Sequence, residues 1–134
     1  MQKSFPLDEV LSVSTGCLVA ERHMDAIYDL CNHLSGESLF THQLVRGFKV
    51  GSPWLIECFP DLQRASDCVH QIEERIAAGG DAKDVCREWV NEQRSYLPET
   101  FDIEPLPPGR WNSIDPITEA IDMMGPDKVV AATT

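Results

Sequence analysis

The sequence predicts a single α+β domain that is predominantly α-helical: a helical body over residues 5–97 followed by a small C-terminal β-α-β element over residues 99–133. Three observations predict it. Apolar residues recur at helical spacing from Leu7 to Tyr96. After Pro98 that spacing gives way to alternation, with Phe101 and Ile103 separated by acids, and then to a proline-rich turn. Size and composition supply the third: 134 residues can bury a core without metals or disulfides, and 43% apolar with 25% charged residues is ordinary for a globular chain.

The elements follow in order. Leu7, Val10, Leu11 and Ser14 keep an i, i+3, i+4 rhythm, with Asp8 and Glu9 in the first turn and Gly16 as the stop, which predicts a short helix. "CLVA" (17–20) is an apolar link. "ERHMDAIYDLCNHLSG" predicts the clearest helix, with a stripe of Met24, Ile27, Cys31 and Leu34, Tyr28 and Leu30 at its margins, and Gly36 at its end. "SLFTHQLVRGFKVG" restarts with Thr41 as N-cap and Leu44, Val45 and Phe48 on one face. A separate helix is expected from "SPWLIECFPDL", with Ser52 as N-cap, Pro53 at the first helical position, a buried run of Trp54, Leu55, Ile56, Cys58 and Phe59, and Pro60 closing it.

Leu62, Ala65, Val69, Ile72 and Ile76 mark one further helix up to Gly79-Gly80. Asp81 caps the next, which carries Val85, Trp89 and Tyr96 on one face, so the two form an αα-hairpin. In the tail, Phe101 and Ile103 predict a strand, and Pro105, Pro107, Pro108 and Gly109 a stiff turn. Asp115 as N-cap and Pro116 at N1 open a helix with Ile117, Ala120, Ile121 and Met124 inside, ended by Gly125-Pro126; "KVVAATT" is the last strand.

Charge narrows the function. The net charge is −11, and most of the excess lies beyond residue 60. A chain this acidic is repelled by phosphate backbones, so direct nucleic-acid binding is disfavoured; an acidic surface suits solubility, the commoner explanation, and also suits docking onto a basic surface. No apolar run approaches the ~20 residues of a membrane helix, and the N-terminus lacks a signal-peptide core, so a soluble protein that stays in the cytoplasm is expected. The five cysteines, Cys17, Cys31, Cys58, Cys68 and Cys86, contain no CxxC pair and are expected to be reduced, buried and structural.

Three segments carry a resemblance. "FPLDEVLSVSTGCLV", "LSGESLFTHQLVR" and "DPITEAIDMMGPDKVV" are similar to a family of small uncharacterised proteins encoded by bacteriophages and prophages, whose members share VLSxxTG, LFTHQL and DP…GPDKV segments. The resemblance implies a phage context and a host bacterial cell, and it implies no catalytic residues.

Two groups of candidate site residues remain. Thr41, His42 and Arg46 stand at helical spacing and could contact an anion or ligand at a helix N-terminus; a cap, a packed ring and an ion pair are the commoner account of such residues. Glu99, Asp102, Glu104, Asp115, Glu119, Asp122 and Asp127 face a single base, Arg110, and form a candidate docking surface for a basic partner, with Trp111 in an exposed turn as its anchor. Solvated acids and the cap at Asp115 are the alternative account. The repeated Cys-x-His of "CNH" (31–33) and "CVH" (68–70) does not suit a metal, because residues two apart on a helix diverge by about 200°. The outward pairs Glu73-Glu74 and Glu88/Glu92 suit a solvated face.

The expectation is therefore a phage accessory protein, not an enzyme, that uses neither cofactor nor metal and binds a host protein. The favoured instance is an inhibitor of a host defence nuclease complex, acting like an anti-CRISPR by covering basic residues meant for nucleic acid. A particle-assembly protein forming a homo-oligomer, or a small ligand-binding protein or enzyme using His42 and Arg46, are the alternatives.

Overall fold

The computed structural model of the chain describes residues 2–111 and 117–118. In order, these form strand β1 (Lys3–Pro6), helices α1 (Leu7–Thr15) and α2 (Met24–Ser35), a 3-10 turn (Thr41–Gln43), and helices α3 (Leu44–Cys58), α4 (Leu62–Cys68), α5 (His70–Ala77) and α6 (Ala82–Gln93). Strand β2 (Thr100–Ile103) completes them. The molecule is thus a predominantly helical α+β protein. No helix among the described residues is long and apolar enough to cross a membrane.

Helix α1 is the axis on which the others pack: α2, α3, α4, α6 and both strands touch it. Its stripe of Leu7, Val10, Leu11 and Ser14 is buried as the spacing predicts, but so are Glu9, Ser12 and Val13 on its other faces. A helix surrounded on all sides must satisfy its polar groups internally. Ser12 does so by donating to the Asp8 carbonyl (2.9 Å) and accepting from the Val19 and Ala20 amides (3.0 and 2.9 Å), which ties the 17–20 link along the helix. The Glu9 carboxylate, only 5% exposed as a residue, takes a two-pronged contact from Arg22 at 3.0 and 2.8 Å, and Arg22 also reaches Asp29 at 2.9 Å.

Helix α2 ends at Gly36 in the left-handed conformation (φ 75°), and Ile27, Leu30, Cys31 and Leu34 face the core. Met24, expected on that stripe, is exposed, and Ala26 is buried instead.

Helix α3 corrects the expectation of two helices. It runs unbroken through Ser52 and Pro53, so Ser52 is not an N-cap; its hydroxyl donates to the Ser14 carbonyl of α1 at 2.6 Å. Proline removes one i→i−4 bond, yet packing holds the helix together across it. Gly47 and Gly51 are not stops but the places where α3 comes close to its neighbours. A Cβ on Gly47 would lie 3.0 Å from Cys31 Sγ, and one on Gly51 would lie 3.0 Å from Leu34 Cδ1 and 3.5 Å from Val13 Cγ1. The buried face is therefore Leu44, Gly47, Gly51 and Leu55, and Val45 turns outward. Of the run 54–59 only Leu55 is buried; Trp54, Ile56 and Phe59 are half-buried and Cys58 is exposed.

The expected single helix over 62–76 is divided at Val69 into α4 and α5. The hairpin α5–α6 forms as expected, although Ile76 is exposed and Tyr96 lies past the end of α6. Gly79 adopts φ 107°, the Gly80 amide donates back to the Arg75 carbonyl at 3.0 Å, and the Asp81 carboxylate caps α6 by accepting from the Asp84 amide at 3.2 Å. Arg75 bridges the hairpin to Glu92 at 2.8 Å.

The sheet is built differently from the predicted tail. β2 pairs antiparallel with β1, at the opposite end of the chain, with Phe5 opposite Phe101 and Lys3 opposite Ile103. Phe5, Phe101 and Ile103 face the core, and Phe59 meets Phe101 edge-on with centroids 4.9 Å apart. His33 fastens the sheet to α2 through a 2.6 Å bond between Nε2 and the Ile103 carbonyl oxygen. Of the expected helix beyond Trp111, Ile117 and Thr118 are helical, but Ile117, expected on the inner face, is exposed; the cap at Asp115, the remainder of the helix and the final strand lie outside the described residues.

Candidate functional site

The segment that leads into α3 engages every one of its expected site residues. Thr41 lies in the 3-10 turn rather than at an N-cap, and its hydroxyl bonds the Tyr28 hydroxyl. The capping role falls to Gln43, a buried residue whose Oε1 accepts from the Phe40 amide at 2.9 Å. His42 stacks on Phe40 with centroids 6.3 Å apart and planes inclined by 16°. Arg46 places its guanidinium 3.9 Å from the centre of the Trp111 ring.

Arg46 and Trp111, taken from two separate candidate groups, thus meet. Trp111 is half-buried rather than an exposed anchor, and its indole N–H donates to the Glu37 carboxylate. The approach to it, residues 104–111, forms a strap over α2 and α3. The Leu106 amide donates to the Leu34 carbonyl at 2.9 Å, Arg110 reaches Glu57 at 2.6 Å, and the Trp54 indole N–H donates to the Glu104 carbonyl at 3.4 Å. Prolines in this strap lack amide donors that would otherwise need partners.

Of the acidic group, Glu99 pairs with Arg94 at 2.8 Å, so its charge is matched locally. Asp102 and Glu104 are exposed, Asp102 on the outer face of β2, and neither carboxylate forms an ion pair among the described residues. Glu119, Asp122 and Asp127 lie outside the described residues. The outward acids behave as expected: Glu73, Glu74 and Glu88 are exposed, and Arg75 holds the exposed Glu92 carboxyl below its ordinary range by hydrogen bonding.

Burial pushes the Cys31 thiol up to about 12 and raises Cys17, Cys58 and Cys86 as well, which suppresses the nucleophilic thiolate. Contrary to the expectation that all five are buried, only Cys31 is; Cys17, Cys68 and Cys86 are half-buried and Cys58 is exposed. In the two Cys-x-His pairs the partners go separate ways. Cys31 packs in the core while His33 bonds the Ile103 carbonyl, and Cys68 is half-buried while His70 lies 3.8 Å from Glu74.

Sequence reasoning missed two surface features. Phe40 and Val45 are 58% and 59% exposed, giving the 40–45 stretch an apolar outer surface. A cavity of about 270 Å³ also opens between the 18–23 loop and the start of α6. Loop residues and helix residues there are some sixty positions apart, so no local pattern announces it; the one available signal was Leu18, an apolar residue without a place in a helical stripe.

Residues 5–65, just under half of the chain, match the model of a domain of unknown function, DUF7736. The matched region runs from β1 into α4 and includes α1, the 3-10 turn and all of α3. No curated protein and no solved structure gives a significant match.

Proposed function

We propose that this protein acts by binding another protein, as a phage-encoded accessory factor whose partner presents a basic, nucleic-acid-handling surface. A host defence nuclease complex is the partner class we favour. The observation that carries this reading is the exposure of Asp102 and Glu104 without ion-pair partners among the described residues, in a chain of net charge −11. Complementary charge raises association rates and discriminates against wrong partners, and acids placed over Lys and Arg side chains compete with nucleic acid for them. Trp111 is occupied within the molecule, so the apolar part of such a contact falls to Phe40 and Val45.

The test is capture of partners from host lysate at low and at high salt, with the native chain and with a variant carrying Asp102→Lys and Glu104→Lys. A nucleic-acid-binding protein captured by the native chain, released by salt and lost in the variant, is the expected result. Equal capture by a variant with native circular dichroism would remove the electrostatic reading. Recovery of particle proteins alone would favour the assembly role.

A further inference from the structure

The cavity between the 18–23 loop and α6 has two kinds of wall. Leu18, Val19, Ala20, Ala82 and Cys86 make it apolar, and His23, Lys83 and Arg87 place three basic side chains around it against one acid, Glu21. Even counting Asp84 beside Arg87, the acids there do not outnumber the cations, in a chain with twice as many acids as Lys and Arg.

The basic groups are also available. Among the described residues neither the His23 ring nor the Lys83 amine has a hydrogen bond or ion pair. Arg87 reaches Glu21 and Asp84 only at 3.7 and 3.9 Å, with its side chain 52% exposed. His23 is moreover the one non-glycine residue with positive φ among the described residues, at φ 53° and ψ −128°. An L-residue held there is strained, and residues so held gather at ligand sites. Here the strain sets the histidine at the cavity wall, directly before α2 begins.

We propose that this cavity binds a small amphipathic carboxylate, its apolar chain against Leu18, Val19, Ala82 and Cys86 and its carboxylate among Lys83, Arg87 and the His23 ring. A few convergent polar groups on a mostly apolar concavity are the ordinary makeup of a small-molecule site, and guanidinium and ammonium groups suit a carboxylate. The site is independent of the partner-binding reading, since it uses neither β2 nor the 40–45 stretch.

The experiment is titration of the full chain with sodium octanoate, followed by methyl and amide NMR, with octanol and acetate as comparators. Saturable shifts centred on Val19, Ala20 and Ala82 are expected, with octanol binding several-fold more weakly and acetate not measurably. Lys83→Gln and Arg87→Gln should each weaken octanoate several-fold while leaving octanol unchanged. Cys86→Phe should fill the cavity and abolish binding; Ala82→Leu, one turn earlier on the same α6 wall, does the same should the first variant fail to fold. Octanoate that produces no saturable shift at these residues overturns the proposal. So does octanol binding as tightly as octanoate, or octanoate binding that is unchanged in a folded cavity-filling variant.

Discussion

Ser12 shows how one side chain can organise a segment. Its hydroxyl is fully buried and is the acceptor for two buried amides, those of Val19 and Ala20. Replacing it with alanine leaves both donors without a partner in a place water does not reach, and each orphaned group costs about 1–3 kcal/mol. Ser12→Ala is therefore expected to destabilise the fold by at least about 2 kcal/mol, measured as a lower urea midpoint at unchanged m-value. Legibility at this scale follows sequence distance. The Asp81 cap was readable because its partner is three residues away. Ser12, the Glu9–Arg22 pair and the His33 bond to Ile103 were not, because their partners lie from 7 to 70 residues along the chain. Arg46 and Trp111 were each singled out from sequence, but only the fold brings them face to face.

Among the elements, α3 teaches the most. Gly47, Gly51 and Pro53 look like punctuation, and local propensity alone would end the helix there. Burial against α1 and α2 outweighs that propensity, and the glycines become the contact surface. Two glycines should accordingly respond differently to alanine. At Gly51 the nearest obstacle is the end of the Leu34 side chain, which can shift, and alanine gains about 1 kcal/mol of helix propensity, so the net change is expected to be small. At Gly80 a Cβ would lie 2.7 Å from Val85 Cγ2 and 2.9 Å from the Arg75 carbonyl oxygen, and backbone cannot step aside. Gly80→Ala is expected to cost about 1–3 kcal/mol and to exceed Gly51→Ala in thermal denaturation of the two variants side by side. The helical stripes of α1, α2 and the α5–α6 hairpin were legible because amphipathic periodicity is local information.

On the scale of the whole molecule, the two ends of the described chain close on each other through β1 and β2, and the strap over α2 and α3 is held in part by charge. Arg110 holds the Glu57 carboxyl, and Arg75 the Glu92 carboxyl, below the ordinary value of 4.5, in both cases chiefly through a direct hydrogen bond. A depressed carboxylate contributes stability above its unfolded-state pKa and loses it as pH falls through the folded-state value. Stability should therefore be level at neutral pH in this respect and decline below about pH 4.5, and only shallowly, since both pairs are solvent-exposed. Thermal denaturation from pH 7 to pH 3 checks this: a double variant Arg75→Met, Arg110→Met should show a flatter acid limb than the native chain. What the sequence determined by itself was the helical class, the position of most helices, the αα-hairpin and the acidic character, because periodicity, caps and charge are properties of neighbouring residues. Tertiary structure alone decided the partner of β2, the continuity of α3, the seating of Trp111 and the existence of the cavity beside His23. Each of these depends on residues far apart in the chain, and their contact energies are realised only once the chain has folded.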